Sequence, residues 1–415
     1  MAVKRKDAPV RDLRSALEFL RGMQGQLAET EVEVDPAAEL SGVYRYVGAG
    51  GTVKRPTRTN GPAMLFKNLK GHHGASAAIG VLASRERVAR LLGCAKEDLG
   101  RLLCESVASP IAPVLDESPA PCQEVVHLAS EPDFDLFRLL PAPTNTPVDA
   151  GPYITLGMCY ATHPDTGCSD VTIHRLCIQG RDELSIAGAI RGEPVRLCRC
   201  VSVAERAIAH AEFVIEGEIV PGVRVQEDQH SGTGFAMPEF PGYNGVASSE
   251  CWLLKVKALT HRRAPILQTC IGPSEEHVNM AGIPTEASIL GMLERAMPGR
   301  VKNVCAHRSG GGKYMAILQM CKKAPADEGR QRQAALLAFS AFPELKHVVL
   351  VVREAPLSAV HLRNMYELAR FGAVVFPPVP AWYAKPQSLE EAERQIAARI
   401  LAQFGVEAPG APCWG

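Results

Sequence analysis

The chain has no continuous apolar run of 18 residues or more, so no ordinary membrane-spanning helix is expected. Neither charge is in excess: 45 Lys and Arg face 45 Asp and Glu. A nucleic-acid binder normally carries a basic surplus or a basic face, which sets that class aside. Thirteen cysteines are present, yet none is arranged as C-x-x-C, and Cys198-Arg-Cys200 is the only close pair. That scatter argues against a zinc site and reads as reduced cytosolic thiols packed as small hydrophobes. Met1 to Asp7 is charged and has no apolar core behind it, so no secretory signal is read and a cytoplasmic protein is expected. There is no internal repeat.

What is present is globular material. Of 415 residues, 46% are hydrophobic, enough for more than one core. Leu13, Leu17 and Leu20 predict an amphipathic helix over 10–23. Partial alternation over 31–56, with Gly48-Ala-Gly-Gly51 near its end, predicts a strand and a tight turn. Pro110 to Pro121 reads as a domain linker. Strand-like runs follow at 153–161, 170–178 and 212–220, then a helix over 285–297 stopped by Pro298-Gly299. Residues 347–352 and 373–377 are buried parallel-type strands separated by an amphipathic helix over 358–371. Ser388 and Glu391 form a capping box for a last helix.

Several patterns carry chemistry. In Asp170-Val-Thr-Ile-His-Arg175, alternation puts Asp170, Thr172 and His174 on one face and Val171, Ile173 and Arg175 on the other, apolar one. An arginine there is costly unless it meets an anion, as a structural ion pair or as a clamp for a ligand carboxylate. Gly272-Pro-Ser-Glu-Glu-His277 sets two acids beside a histidine, either a general acid of raised pKa or a capped, solvated turn. Glu212 and Glu216, four apart, share a face and suit a hard-metal clamp or simple polarity. Gly310-Gly-Gly-Lys313 lacks Walker spacing, and His72-His73 reads as a solvated loop.

Taken together, these segments resemble the UbiD-like decarboxylases that use prenylated FMN, in the gallate and hydroxybenzoate branch. The resemblance rests on Val32-Glu-Val-Asp35 through Gly51, Ala142-Pro-Thr-Asn-Thr-Pro147, Asp149 to Ile154, and Ser169 to Arg175. It continues through Met237-Pro-Glu-Phe-Pro-Gly-Tyr243, Gly272 to His277, Ala281 to Ser288, and Gln331 to Ser340. From residue 351 the chain instead resembles the C-terminal part of a UbiX-like flavin prenyltransferase, through Arg353-Glu-Ala-Pro-Leu-Ser358, Gly372 to Pro378 and Pro380-Ala-Trp-Tyr383.

The resemblance implies an α+β fold. It predicts an N-terminal α/β domain over 1–115, a shortened flavin-reductase-like split β-barrel over 116–325, and a C-terminal flavodoxin-like α/β segment over 326–415. It implies non-oxidative decarboxylation of a small aromatic carboxylic acid. Arg175 would meet the substrate carboxylate, and Glu275 or Glu276 would return the proton. Asp170, Thr172, Ile173, His174, Arg175, Glu212, Pro238 and Glu239 would bind the cofactor. Asp170 and Glu212 would hold Mn2+, with K+ as a second candidate ion. In the tail, Arg353, Glu354, Tyr383 and Arg399 match prenyltransferase positions. A flavin prenyltransferase would supply the cofactor.

Two departures accompany it. Asp182-Glu-Leu-Ser-Ile186 runs straight into Ala187, where the family carries several tens of further residues, including a metal-supporting histidine. The decarboxylase pattern is read as stopping after Leu350, without its C-terminal domain. A homo-oligomer is expected, because missing elements leave apolar faces for a partner subunit to cover. A non-catalytic remnant or assembly partner, and residual prenyl transfer by the tail, stand as the alternative readings.

Overall fold

Two units make up the chain in the computed structural model: within the described residues, 10–96 with 106–279, and 97–105 with 280–402. These borders differ from those expected after residues 115 and 325. The structure describes residues 10–49, 60–162, 165–167, 169–184, 195–239, 242–327, 329–342, 345, 347–352, 356–370, 372–382 and 385–402.

The first unit contains a four-stranded sheet. Leu27–Thr30 runs parallel to Ala63–Phe66, which is antiparallel to Ser76–Ile79, and Ile266–Thr269 adds in parallel from far downstream. Ala63-Met-Leu-Phe66 is buried at every position because both of its faces are covered. Met64 and Phe66 pack with Leu40 and Tyr44 of helix Glu39–Val47. Ala63 and Leu65 pack with Leu17 and Leu20 of helix Leu13–Arg21, which opens on an Asp12–Ser15 capping box. Helix Glu39–Val47 stands where a strand was expected. Leu40, Tyr44 and Val47 recur at helical spacing, and burial of that stripe overrides the β preference of Val and Tyr.

The larger sheet of this unit is antiparallel and open. Its order is Phe213–Val225, Cys251–His261, Glu183–Leu184, Ser169–Gly180, Tyr153–Thr162, with Val125–Leu128 pairing Cys251–His261 as a branch. No closed barrel forms among the described residues, so the mixed α+β class holds without the expected barrel closure. Ile154, Leu176, Ile178, Val256 and Leu259 form its core. The proline-rich stretch read as a linker contributes strand Val114–Leu115 to a small sheet with Arg196–Arg199 and Arg206–Ile208.

In the second unit, Val301–Ala306 pairs antiparallel with Met315–Met320, and His347–Val351 and Val374–Phe376 continue in parallel. Helices Arg330–Ala341 and Ala359–Arg370 supply Ala334, Ala335, Ala338 and Leu368 to the core beside Leu293, Val304, Leu318 and Leu350. The expected strand–helix–strand pattern is therefore present. At Gly310–Lys313 the amides of Gly311, Gly312 and Lys313 bond carbonyls of the same turn and leave no cradle for phosphate.

Gly80, just past Ser76–Ile79, has φ +78°, and a Cβ there would lie 2.5 Å from the Tyr44 hydroxyl. Gly80→Ala is expected to lower stability by about 1–3 kcal/mol, read by denaturant unfolding; an unchanged midpoint would contradict the strain.

Candidate active site

Strand Ser169–Gly180 pairs with Tyr153–Thr162, Tyr153 opposite Cys177 and Gly157 opposite His174. Leu176 and Ile178 point into the sheet core. Arg175, Cys177 and Gln179 therefore share the other face. Cys177 packs there with Tyr153 and Met237, and Gln179 Nε2 donates to the Glu227 carbonyl at 2.9 Å. Arg175 is thus opposite the main apolar core rather than within it, on a face lined by residues 227–239.

The arginine meets two carboxylates. Its Nε lies 3.2 Å from Glu227 Oε1, Nη2 donates to Glu227 Oε2 at 3.3 Å, and Nη1 donates to Glu239 Oε1 at 2.9 Å. Glu227 is 2% exposed and also accepts from the Tyr153 hydroxyl at 2.9 Å and the Ser248 amide at 3.1 Å. Burial pulls the Arg175 pKa down, but the charges of Glu227 and Glu239 more than offset it and hold the guanidinium charged. Three of its five N–H donors face these acids, which leaves two for an anion. His174, on the opposite face, is pushed down to about 4 by burial and by the Arg175 charge, so it is neutral near pH 7. Its buried Nδ1 has no hydrogen-bond partner.

The second half of the site is the turn before helix Glu275–Ala296. Ser274 caps it, its Oγ accepting from the His277 amide at 3.3 Å. A Cβ on Gly272 would lie 2.6 Å from the Pro238 carbonyl, so the glycine lets this turn sit against Pro238 and Glu239, hence beside Arg175. Arg45 reaches in from helix Glu39–Val47 and donates to the Gly272 carbonyl at 2.6 Å. Both acids of the turn are buried, Glu275 at 7% and Glu276 at 0% exposure, so it is capped but not solvated. The Glu276 oxygens accept from the amides of Gly80 at 2.7 Å and Leu82 at 2.9 Å. Burial nevertheless pushes its carboxyl up to about 7, against the pull of those amides and of Arg87.

The remaining predicted residues divide. Thr172 and Ile173 are half-buried beside Arg175, and Pro238 ends strand Phe235–Pro238. Asp170 is exposed and, among the described residues, accepts only from its neighbour's amide, Val171 N at 2.8 Å. Glu212 is taken up elsewhere: Arg14 grips both of its oxygens at 2.8 and 2.9 Å, and Arg262 and the Ile266 amide add contacts. Glu216 accepts from the Val201 and Ser202 amides. Among the described residues no group of three or more His, Cys, Asp or Glu is placed to hold a metal, so the arrangement does not fit an ion held by Asp170 and Glu212. In the second unit Arg399 lies 6.0 Å from the Phe376 ring. Arg353, Glu354, Tyr383 and the junction at Ile186 lie outside the described residues.

A flat, anionic, hydrogen-bonding cofactor does fit. Toward Glu183–Leu184, strand Ser169–Gly180 pairs only at Ile178 and Gly180 among the described residues. Among the described residues this stretch carries the His174 Nδ1 without a hydrogen-bond partner on one face and the spare Arg175 donors on the other. Glu227 and Tyr153 were not foreseen. Their role depends on contacts 52 and 74 residues apart along the chain, from Glu227 to Arg175 and from Tyr153 to Glu227, which no local pattern reveals.

Comparison with known proteins finds relatives over most of the chain. The N-terminal domain model of the 3-octaprenyl-4-hydroxybenzoate carboxy-lyases matches residues 20–107. Their Rift-related domain model matches 114–185 and 179–275, in two pieces that overlap over 179–185, just before Ile186. Their C-terminal domain model matches 278–370, so the decarboxylase pattern extends beyond Leu350. Gallate decarboxylase of Lactiplantibacillus plantarum is 46% identical over 396 residues, 82% of this chain and 81% of that protein. The apo structure of 3,4-dihydroxybenzoic acid decarboxylase from Enterobacter cloacae superposes with TM-score 0.78 at 46% identity, over 87% of this chain and 85% of that one. The UbiD-class enzyme HmfF from Pelotomaculum thermopropionicum, solved with prenylated FMN, gives TM-score 0.71 at 28% identity, over 87% and 90%. A probable UbiX-like flavin prenyltransferase of Bacillus subtilis is 46% identical, but over only 71 residues, 17% of this chain and 35% of that protein. The chain belongs to the UbiD family of carboxy-lyases.

Proposed function

We propose that this chain releases CO2 from a hydroxylated benzoate such as gallate or 3,4-dihydroxybenzoate, with no net oxidation, using prenylated FMN bound along the edge from Asp170 to Arg175. The observation that carries the reading is a charged Arg175 with spare donors, next to a turn bearing two buried carboxyl groups. Bound there, the cofactor supplies the electron sink that lets the ring carbon part from its carboxylate. A flavin prenyltransferase is the partner that provides it.

The protein's own residues orient the substrate and move a proton. Arg175 receives the substrate carboxylate through the N–H groups not engaged by Glu227 and Glu239. The carbon–carbon bond breaks, its electron pair stays on the ring side, and a proton from Glu275 replaces the departed CO2. Glu276 is the positioning residue: both of its oxygens are occupied by backbone amides, and it ties the acid-bearing turn to Gly80 and Leu82. The divalent metal enters no step.

Two expectations follow from these roles. Arg175→Lys keeps a cation but loses the planar fork, and is expected to lower kcat/KM for CO2 release by about 100-fold or more. Turnover within a factor of two of wild type, in protein with an unchanged melting curve, would refute the clamp. Glu275→Gln should lower kcat by about 10²–10⁴-fold, the usual contribution of a general acid, with little change in stability. If Glu276→Gln instead gave the larger kcat loss at equal stability, the two roles would be exchanged.

Glu276 also makes a pH-dependent contribution to stability. Its folded pKa, about 7, lies above the ordinary 4.5, so the folded state retains a proton that the unfolded chain has released. Stability therefore falls as pH rises from about 4.5 to 7, by roughly 3 kcal/mol from this group. Glu276→Gln is expected to flatten that part of the profile in denaturant unfolding at pH 5 and 7.5. Protein co-produced with a complete flavin prenyltransferase is expected to carry a flavin absorption band. A colourless protein would favour the non-catalytic remnant.

A further inference from the structure

A cleft of about 500 Å3 in the first unit is lined by His72, His73, His127, Arg138 and His261 among others, none of them part of the site above. It is built on strand pairing. Val125–Leu128 runs antiparallel to Cys251–His261, with Leu259 opposite His127 and Val125 opposite His261. That register makes His127 and His261 diagonal neighbours on one face. Their rings stack with centroids 5.3 Å apart, and the two Nε2 atoms face each other at 3.2 Å.

The tautomer of His261 follows from its surroundings. Its Nδ1 lies 2.8 Å from the Arg262 carbonyl oxygen, which only accepts, so Nδ1 carries the hydrogen and the lone pair sits on Nε2, toward His127. Burial keeps the ring neutral near pH 7. A backbone carbonyl on the far nitrogen is the usual outer support of a metal-binding imidazole. His72 repeats the arrangement, its Nδ1 donating to the Arg138 carbonyl at 3.1 Å. A tetrahedral ion with metal–nitrogen bonds of about 2.0–2.1 Å separates two ligand nitrogens by about 3.3–3.4 Å, close to the spacing present. Both rings are half-buried and reachable from solvent. The acids Glu131 and Asp133 line the same cleft and balance Arg138 and Arg263.

We infer that His127 and His261 form a two-histidine site for a divalent transition ion of the Zn2+ or Cu2+ class, set in the cleft beside His72. Nitrogen donors of this kind select such ions over Mg2+ or Ca2+. Among the described residues no third His, Cys, Asp or Glu completes the shell, so water or a small exogenous donor would fill it.

The test uses the full chain. Zn2+ is titrated calorimetrically, and Cu2+ is followed by electron paramagnetic resonance. One equivalent is expected, with coupling to two nitrogens for Cu2+. His127→Phe and His261→Phe, which keep the ring stack, should each weaken binding by about tenfold or more. Equal affinity in wild type and both variants, or no binding at all, overturns the site and leaves a hydrogen-bonded histidine pair. Should the variants fail to melt cooperatively, wild-type protein decides. One equivalent of Zn2+ must protect His127 and His261 from diethyl pyrocarbonate, read by peptide mass spectrometry, and absence of protection overturns the proposal.

Discussion

A guanidinium half-buried on a β-strand persists only if carboxylates meet it, and the first unit meets that requirement at Arg175. Glu227 provides the deeper contact. Tyr153, the Ser248 amide and the arginine share its oxygens. Gln179, on the same strand face as Arg175, bonds the Glu227 backbone. Loss of Arg175 would leave Glu227 buried without its cation, at a cost of about 3–5 kcal/mol, whereas Arg175 would keep Glu239 and partial solvent contact if Glu227 were lost. The pair therefore fixes which way strand Ser169–Gly180 faces, because a one-residue slip would turn Arg175 toward Leu176's core.

The turn that carries the two acids depends on the same principle applied to backbone. Its position follows from Gly272 lying flat against Pro238, from Arg45 holding the Gly272 carbonyl, and from Glu276 bridging the Gly80 and Leu82 amides. Arg87, fully buried, binds the Gly80 and Gly61 carbonyls beside it. The turn is thus held to the four-stranded sheet and its helices by buried charge against backbone dipoles. Side-chain ion pairs at the surface, such as Arg90–Glu86, contribute little by comparison.

Legibility in the sequence followed the range of the forces involved. Runs with one strong period were readable: Tyr153–Thr162, Ser169–Gly180, His347–Val351 and Val374–Phe376 all stand where alternation or continuous apolarity placed them. Helix Glu39–Val47 was misread because its β-branched and aromatic residues mask a helical spacing that only packing reveals. Arg175 could be singled out because charge amid apolar alternation is visible locally. Glu227 could not, since nothing near it in sequence marks the partner it finds. Glu212 showed the converse: its acidic spacing suggested metal, but Arg14, distant in sequence, takes both oxygens.

The charge count at Arg175 constrains how an anionic substrate is received. One guanidinium facing Glu227 and Glu239 leaves the cluster with a surplus negative charge, which repels an incoming carboxylate. The two acids are not equivalent. Glu227 is 2% exposed and braced on several sides, whereas the Glu239 side chain is 26% exposed and meets Arg175 through a single nitrogen. Glu239 is therefore the less firmly held of the two contacts, while Glu227 keeps the guanidinium aimed. In the proposed reaction the substrate carboxylate uses the Arg175 donors that both acids leave free, and the partly exposed Glu239 contact, screened by solvent, competes with it only weakly.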